Sequence, residues 1–448
     1  MKLVHVPYTF FPDPIGGTEI YVESLCHELR AHQVEPVIVA PSGTGEDALY
    51  DHNGLRVYRF RSSCKTKTML HELYGDGDPE SAAAFAEILD QEHPDAVHIH
   101  AFTRAVSVLL VRAAKQRGLP VFFTYHTPTV SCQRGDLRFR DEEICDGRLD
   151  VQRCTSCYAE SLGVPRWASS LLSHMPFPLG RVIGKSDLGG IWIALQLSEL
   201  VRRRHEAFQQ LMQDLDGVVA LSDWVKALLL RNGVPSSKIA FSRHGLSRFY
   251  DSLEPRIDPT TTPLRVCFLG RIDGRKGSAT LVDAMKLIPE VSIELHLYGI
   301  GQGNADSVWK TLKTTHGDAR ISFFDAVPHE MVVPMLRNYH VVAVPSQYVE
   351  TGPLVVLESL AAETPVIGSN LGGIAEWIQH EKNGVLVGAN DIQGWANALR
   401  RCAQDRYFLE SLRQGIKVRR SMRDVANDMI QLYLKHISPL KYHTATSS

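Results

Sequence analysis

Two carboxylates eight positions apart carry the most informative chemistry in the chain, in the stretch Val344-Pro-Ser-Gln-Tyr-Val-Glu350-Thr-Gly-Pro-Leu-Val-Val-Leu-Glu358. Glu350 follows an apolar run that reads as a strand. Glu358 falls inside the next helix, among Leu354, Val355, Val356, Leu357, Leu360 and Ala361. A charge on so apolar a helix is costly unless a hydroxyl or a cation meets it, and a ribose diol is a suitable partner. Capping or surface placement suits Glu350 but fits Glu358 poorly. Upstream, Val266-Cys-Phe-Leu-Gly270-Arg271 leads through Lys276-Gly277 into another helix. A guanidinium fork and an ammonium point charge beside a helix N-terminus suit a diphosphate better than they suit a solvated basic turn.

The first half holds weaker signals. Asp13-Pro-Ile-Gly16-Gly17-Thr-Glu19 follows the first apolar run and opens a helix. Paired glycines there let backbone amides approach an anion, and they serve a tight strand-to-helix turn equally well. His126-Thr-Pro leaves the run Val121–Tyr125. It faces a ligand, or it is a hydrogen-bonded histidine ending a strand, which is the commoner case. Four cysteines cluster as Cys132-x12-Cys145-x8-Cys154-x2-Cys157. Only the last pair has ligand spacing, and disulfides are disfavoured in a reducing compartment. The reading is a structural metal, zinc first and an iron–sulfur centre second, against four reduced thiols. Cys26, Cys64, Cys267 and Cys402 are scattered, as small core residues are.

The elements that must position these groups are short apolar runs alternating with helical patterns. Candidate strands are Leu3–Pro7, Pro36–Ala40, Val57–Phe60, Ala96–His100, Val121–Tyr125 and Val218–Leu221 in the first half. In the second they are Leu264–Leu269, Ile293–Tyr298, Ile321–Phe324, Val341–Val344, Pro365–Gly368 and Val385–Val387. Tyr21, Leu25 and Leu29 share one helical face. This alternation predicts α/β architecture with parallel sheets covered on both faces. A Pro/Asp/Thr-rich stretch, Asp251–Pro263, separates two doubly wound units. The expected domains are 1–250, 251–403, and a helical segment 404–448 packing back on the first domain. Ligands in such sheets bind outside the carboxyl ends of the strands.

At 448 residues the chain exceeds one ordinary core. A net charge of −2 gives no drive toward nucleic acid. The N-terminus lacks the pattern of a signal peptide, and no run is long enough to span a membrane, so a cytoplasmic location is expected. Residues 161–205 are apolar and basic, with Trp167, Leu171, Trp192 and Arg202-Arg203-Arg204, and six cations stand against two acids. That suits a helical insert on the first domain or, alternatively, peripheral membrane contact with a lipid-linked acceptor.

Gly270-Arg271-x4-Lys276-Gly277, Glu350-x7-Glu358, Thr364-Pro-Val-Ile and Gly372-Gly373-x2-Glu376 together resemble the glycosyltransferase family 4 signature. Gly16-Gly17-x-Glu19 and Asp95-x-Val-His-Ile-His100 resemble that family too. The resemblance implies a GT-B fold, two Rossmann-like domains facing across a cleft. It implies a retaining transfer of sugar from a UDP- or GDP-linked donor to a hydroxyl of a glycan, lipid-linked or small-molecule acceptor, with no metal required for catalysis. Arg271 and Lys276 would hold the diphosphate, Glu358 the ribose, and Glu350 the transferred sugar. His126 would lie near the anomeric centre, and Gly16 and Gly17 would shape the phosphate loop. One departure matters. The family pattern after the first glutamate is Glu-x-Phe-Gly-Leu, and here Glu350-Thr-Gly352-Pro353-Leu354 stands instead. Pro353 has no N–H, so that donor is lost or supplied by Gly352 or Leu354; the resemblance also places Gly352, Leu354 and Val355 among the donor-binding residues. The rival readings are a decayed nucleotide-sugar-binding protein and a phosphorylase on the same fold.

Overall fold

The computed structural model describes residues 1–13, 16–63, 75, 77–175, 191–247, 256–258, 260–272, 274–299, 310–314, 317–417 and 420–437. It divides into two compact units, Met1–Arg243 with Met422–Ser448, and His244–Ser421.

In the first unit β1 (Lys2–Val6), β2 (Glu35–Pro41), β3 (Ala48–His52), β4 (Leu55–Phe60), β5 (Ala96–Ile99) and β6 (Val121–Thr124) belong to one sheet, with β7 (Arg138–Phe139) and β8 (Glu143–Ile144) forming a separate hairpin. β9 (Gly217–Ala220) and β10 (Ile239–Phe241) complete the sheet, whose order is β10-β9-β6-β5-β1-β2-β4-β3. All its pairings are parallel except β3 with β4. β1 is the first strand, and the chain runs outward from it to both edges, so a switch point lies between β1 and β5. The Gly17–Ala31 helix covers the sheet with Tyr21, Val22, Leu25, Cys26 and Leu29. Beside it the Met422–Leu434 helix buries Met422, Val425, Ala426, Met429, Leu432 and Tyr433, a spacing of three and four that makes one apolar stripe.

The second unit has one sheet of β11 (Leu264–Leu269), β12 (Ile293–Tyr298), β13 (Ile321–Phe324), β14 (Val341–Val344), β15 (Val366–Ser369) and β16 (Gly384–Val387). Its order, β13-β12-β11-β14-β15-β16, is all parallel and places the switch point between β11 and β14. Near-continuous apolar runs such as Val341–Val344 are what a strand buried on both faces requires.

The expected boundaries move. The Arg406–Gln414 helix stays with the second unit because Leu409 and Leu412 enter its core. Only Met422 onward returns to the first unit, and the first unit ends at Arg243. The expected linker lies partly outside the described residues, as do Cys64 and residues 176–190 of the insert. In the insert, Arg202 and Arg203 pair with the buried Glu199, and Arg204 stacks on Phe102. The basic triplet is therefore tied into the protein rather than presented as a free charged face. Trp167 and Leu171 remain 72% and 67% exposed, one helical turn apart. Among the described residues no helix is long and apolar enough to cross a membrane.

Candidate active site

In the second unit, the loop leaving β11 meets the loop leaving β14. Gly277 sits at φ +72, and a Cβ there would lie 1.9 Å from the Pro345 carbonyl oxygen. Only glycine lets the two loops touch. Gln347 N–H donates to the Arg275 carbonyl at 2.6 Å, and the Gln347 amide donates to the Pro345 and Ala389 carbonyls. This contact sets Lys276 Nζ 3.0 Å from Glu350 Oε1 and over the Tyr348 ring. Ser346 Oγ donates to the same Glu350 oxygen. Burial, the largest single influence, would lower the Lys276 pKa, but the charges and hydrogen bonds of Glu350 and Tyr348 together outweigh it and the net shift is upward. The Tyr348 hydroxyl is pushed up by burial and by Glu350, against the opposing pull of Lys276 and Arg271. Arg271 stands exposed at the end of β11. Arg271, Lys276 and Glu350 thus gather around Tyr348 at the sheet's switch point.

The Glu350 loop is braced from two sides. A Cβ at Gly373 would meet the Thr351 and Glu350 carbonyls at 2.8 and 2.9 Å, and Gly373 N–H donates to the Glu350 carbonyl. A Cβ at Gly352 would lie 1.9 Å from the His244 ring. Burial holds the His244 pKa down to about 4, so that ring packs as a neutral surface. Pro353 is the N-cap of the Leu354–Ala361 helix, and its carbonyl accepts from Val356. The N–H groups of Leu354 and Val355 come before the first intrahelical bond and point past the helix start. Pro353 itself offers no N–H at this helix end, whereas Leu354 and Val355 keep theirs.

Glu358 is buried on that helix, as its apolar neighbours demanded, and its partner is His329. His329 Nδ1 lies 3.2 Å from Glu358 Oε1, and His329 Nε2 lies 3.3 Å from Ser247 Oγ. Sequence reasoning gave no role to His329, His244, Tyr348 or Ser346. His329 opens a helix after β13, the position where ligand groups in such sheets gather.

The first unit builds its own polar centre from the pleat. β1 and β5 pair His5 with His98, and a period of two puts His98 and His100 on one face. Thr124 and His126 share that face from β6. His5 Nδ1 lies 3.1 Å from His100 Nε2, and His100 Nδ1 lies 3.1 Å from His126 Nε2. His98 spans Tyr433 OH at 2.6 Å and Thr124 Oγ1 at 2.8 Å. His5, His98 and His100 are fully buried, and burial drives all three toward the neutral form, His5 to about 3.

The file has a direction. His5 Nε2 has no hydrogen-bond partner among the described residues. A buried lone pair left over costs less than a buried orphan N–H. His5 Nδ1–H therefore donates to His100, His100 Nδ1–H donates to His126 Nε2, and the proton of His126 resides on Nδ1. His5, His98 and His100 are also the one set among the described residues whose ligand atoms lie mutually within 4.8 Å. Every other nitrogen of that set is already committed to a hydrogen bond, so the arrangement is a hydrogen-bonded file rather than a metal centre.

Gly16 and Gly17 are exposed ahead of the Gly17–Ala31 helix. Gly16 has φ −124, and a Cβ there would make only ordinary contact with Glu19, so nothing in its own unit demands glycine. Glu19 is structural: it turns back to accept from Gly16 N–H at 2.9 Å. Arg59 fixes the loop before it, bonding Asp13 and the Phe10 and Pro41 carbonyls. Asp95 is likewise structural and accepts from the Lys2 backbone N–H at 2.8 Å.

Known proteins resemble this chain in sequence and fold. The family model described as glycosyl transferase 4-like domain matches residues 16–243, and that of glycosyl transferases group 1 matches residues 252–420. D-inositol 3-phosphate glycosyltransferase of Arthrobacter sp. strain FB24 is 31% identical over 406 residues, 86% of this chain and 81% of that one. The enzyme of the same description from Xylanimonas cellulosilytica is 29% identical over 233 residues, 50% of this chain, and the match spans about half of that relative, 52%. Among solved structures, sucrose-phosphate synthase from Thermosynechococcus elongatus superposes with a TM-score of 0.68 at 20% identity, covering 97% of this chain and 98% of that one. Anabaena HepE superposes with a TM-score of 0.60 at 16% identity over 97% and 99%. These two speak to the fold. With one family model covering more than half the chain and a second covering the rest of the signature, the protein belongs to the family 4 glycosyltransferases of group 1 and has the GT-B fold.

Proposed function

We propose that the protein is a retaining glycosyltransferase that takes a sugar from a UDP- or GDP-linked donor to an acceptor hydroxyl of a glycan, lipid-linked or small-molecule substrate. The observation that carries this reading is the Lys276–Glu350 pair at 3.0 Å, held at the β11/β14 switch point beside Arg271. In the free protein Glu350 occupies the ammonium, and Ser346 shares the carboxylate. An incoming diphosphate would compete for Lys276 and Arg271, which would then stabilise the negative charge on the leaving group, as oriented cations do in a water-poor site. Glu350 would be released toward the sugar hydroxyls. The Leu354 and Val355 N–H groups would receive a phosphate at the helix N-terminus. Glu358, oriented by His329, would accept from the ribose. On the first unit, the Nδ1–H of His126 would donate to the sugar, and the unobstructed Gly16-Gly17 backbone would admit the phosphates.

Two outside facts favour this reading. The HepE structure contains UDP and glucose. The relative at 31% identity is named for a phosphorylated inositol acceptor, a small polyol. Retention implies that the acceptor attacks from the face the diphosphate leaves. The decayed-protein reading is disfavoured by the intact set Arg271, Lys276, Glu350, Glu358 and His126. A phosphorylase would need inorganic phosphate as co-substrate.

The test is a thermal-shift panel of nucleoside diphosphates and their sugars, followed by anomer-resolved NMR of the product from the best donor. Ligands that bind only the native state raise the melting temperature. The reading expects one base to stand out and the product to keep the donor's anomeric configuration. An inverted product, or turnover that requires inorganic phosphate, would overturn it.

A further inference from the structure

We infer that Cys132, Cys145, Cys154 and Cys157 form a structural tetrathiolate site for a single zinc ion, independent of the sugar-transfer chemistry. All four cysteines are unbridged, and they line one cavity of about 30 Å³. They arrive from three separate pieces of chain. Cys132 follows the turn Pro128–Val130, Cys145 follows β8, and Cys154 and Cys157 lie one turn apart on the Val151–Ser161 helix. Residues three apart on a helix share a face, so that pair projects together.

Backbone N–H groups face the sulfurs, while Cys157 Sγ also stands 3.6 Å from the Arg138 carbonyl and Cys145 Sγ 4.0 Å from Asp146 Oδ1. Gly147 N–H points at Cys145 Sγ from 3.5 Å, two residues downstream, and Arg140 N–H points at Cys157 Sγ from 3.4 Å. The N–H groups of Leu137, Gly135 and Asp136 turn toward Cys132. Backbone donors aimed at sulfur orient it and offset negative charge, as the outer shell of a metal site does. Guanidinium groups complete the compensation. Arg134 is nearly buried with Nη1 4.0 Å from Cys157 Sγ, and Arg153 acts on both Cys145 and Cys154.

A second, independent observation is that the segment has little apolar core of its own; beyond the sulfurs it is held by polar contacts, with Asn232 bonding the Leu149 N–H and the Gly147 carbonyl, and Arg134 and Arg153 pairing with Asp141 and Asp146. β7 and β8 are two residues each, too short to be stable alone, and Ile144 is 58% exposed. Leu137 is its one deeply buried large apolar side chain between Cys132 and Cys154. Yet three non-glycine residues, Leu137, Arg140 and Asp141, hold positive φ within five positions. Such backbone persists only when something over-determines it. A metal bridging the start of the segment, the hairpin and the helix does so. A tetrahedral ion would draw the sulfurs to about 3.8 Å from one another. That is tighter than they stand here, where no three lie mutually within 4.8 Å.

The experiment is elemental analysis of the full-length protein, purified without chelator, with organomercurial release of metal followed by a zinc-sensitive dye. The expected result is about one zinc per chain, freed as the clustered thiols react. Cobalt substitution should give the intense thiolate charge-transfer band and tetrahedral visible bands. The Cys154→Ser/Cys157→Ser variant should fall to background, and Cys402→Ser should keep its metal. Metal at background in the wild type would overturn the inference without reference to any variant's folding. So would full zinc retention in the double variant, or a coloured iron centre in place of zinc. None of these readouts depends on sugar transfer.

Discussion

Gly277→Ala should uncouple the two loops that build the donor site. A non-glycine residue in the left-handed region costs about 1–2 kcal/mol. The new Cβ would also lie 1.9 Å from the Pro345 oxygen, a backbone atom with no rotamer to escape into. Overpacking of that kind adds about 1–3 kcal/mol. The sum, about 2–5 kcal/mol, corresponds to a fall of roughly 4–20 °C in the second unit's transition. The chain can avoid part of that cost by moving the loop, which pulls Lys276 off Glu350. Either outcome weakens nucleotide binding. Gly274 supplies the control, since it lies in the same loop and a Cβ there meets nothing within 4 Å. Differential scanning calorimetry with and without a saturating nucleoside diphosphate reads both effects. Gly274→Ala should match the wild type in melting and in ligand shift, and Gly277→Ala should lose in both. Wild-type melting and ligand shift in Gly277→Ala would refute the loop-contact reasoning.

Lys276→Ala and Glu358→Ala should each abolish turnover, a loss on the order of 10²–10³-fold or more, with near-native circular dichroism; full activity in either removes its assigned role. His100→Ala should leave the far-UV spectrum intact yet move the His126 proton, read as a changed Nδ1 shift in 15N-histidine spectra; an unchanged His126 tautomer would contradict the directional file. Stability should fall as pH drops from about 6.5 toward 4. His5 and His244 are held by burial at about 3 and about 4, so below pH 6.5 the unfolded chain takes up protons that the folded chain refuses. Denaturant melts across that range check it, and a flat profile would mean these rings titrate normally. Arg59→Met should release Asp13, whose carboxyl the Arg59 hydrogen bond holds below its ordinary range, and lower the first unit's melting temperature while sparing the second.

The second unit was the more legible half. Its strands are unbroken apolar runs between glycines and helical patterns, and four of the six have the limits expected from sequence. In the first unit β3 was missed because Ala48-Leu-Tyr-Asp-His52 is an edge strand, largely exposed, with no apolar alternation to betray it. The β7–β8 hairpin was invisible for the same reason. Lys276, Glu350 and Glu358 could be singled out because a charge beside or within an apolar run is locally anomalous. His329 and His244 could not, since each gains meaning only from a partner far along the chain. The histidine file sits between these cases. His98 and His100 alternate legibly, but their bonds to His5 and His126 require the strand order β6-β5-β1. The three arginines at 202–204 read by composition as a basic cluster, although Glu199 on the same helix neutralises two of them.

The most direct measurement is calorimetric titration of the wild type and Lys276→Ala with UDP and GDP at matched ionic strength. Saturable one-to-one binding of one of these nucleotides, lost or weakened at least tenfold when the ammonium is removed, is the predicted result. Binding that is equally tight in Lys276→Ala, or no saturation by either nucleotide, would mean that the cations and the carboxylate around Tyr348 grip something other than a nucleoside diphosphate.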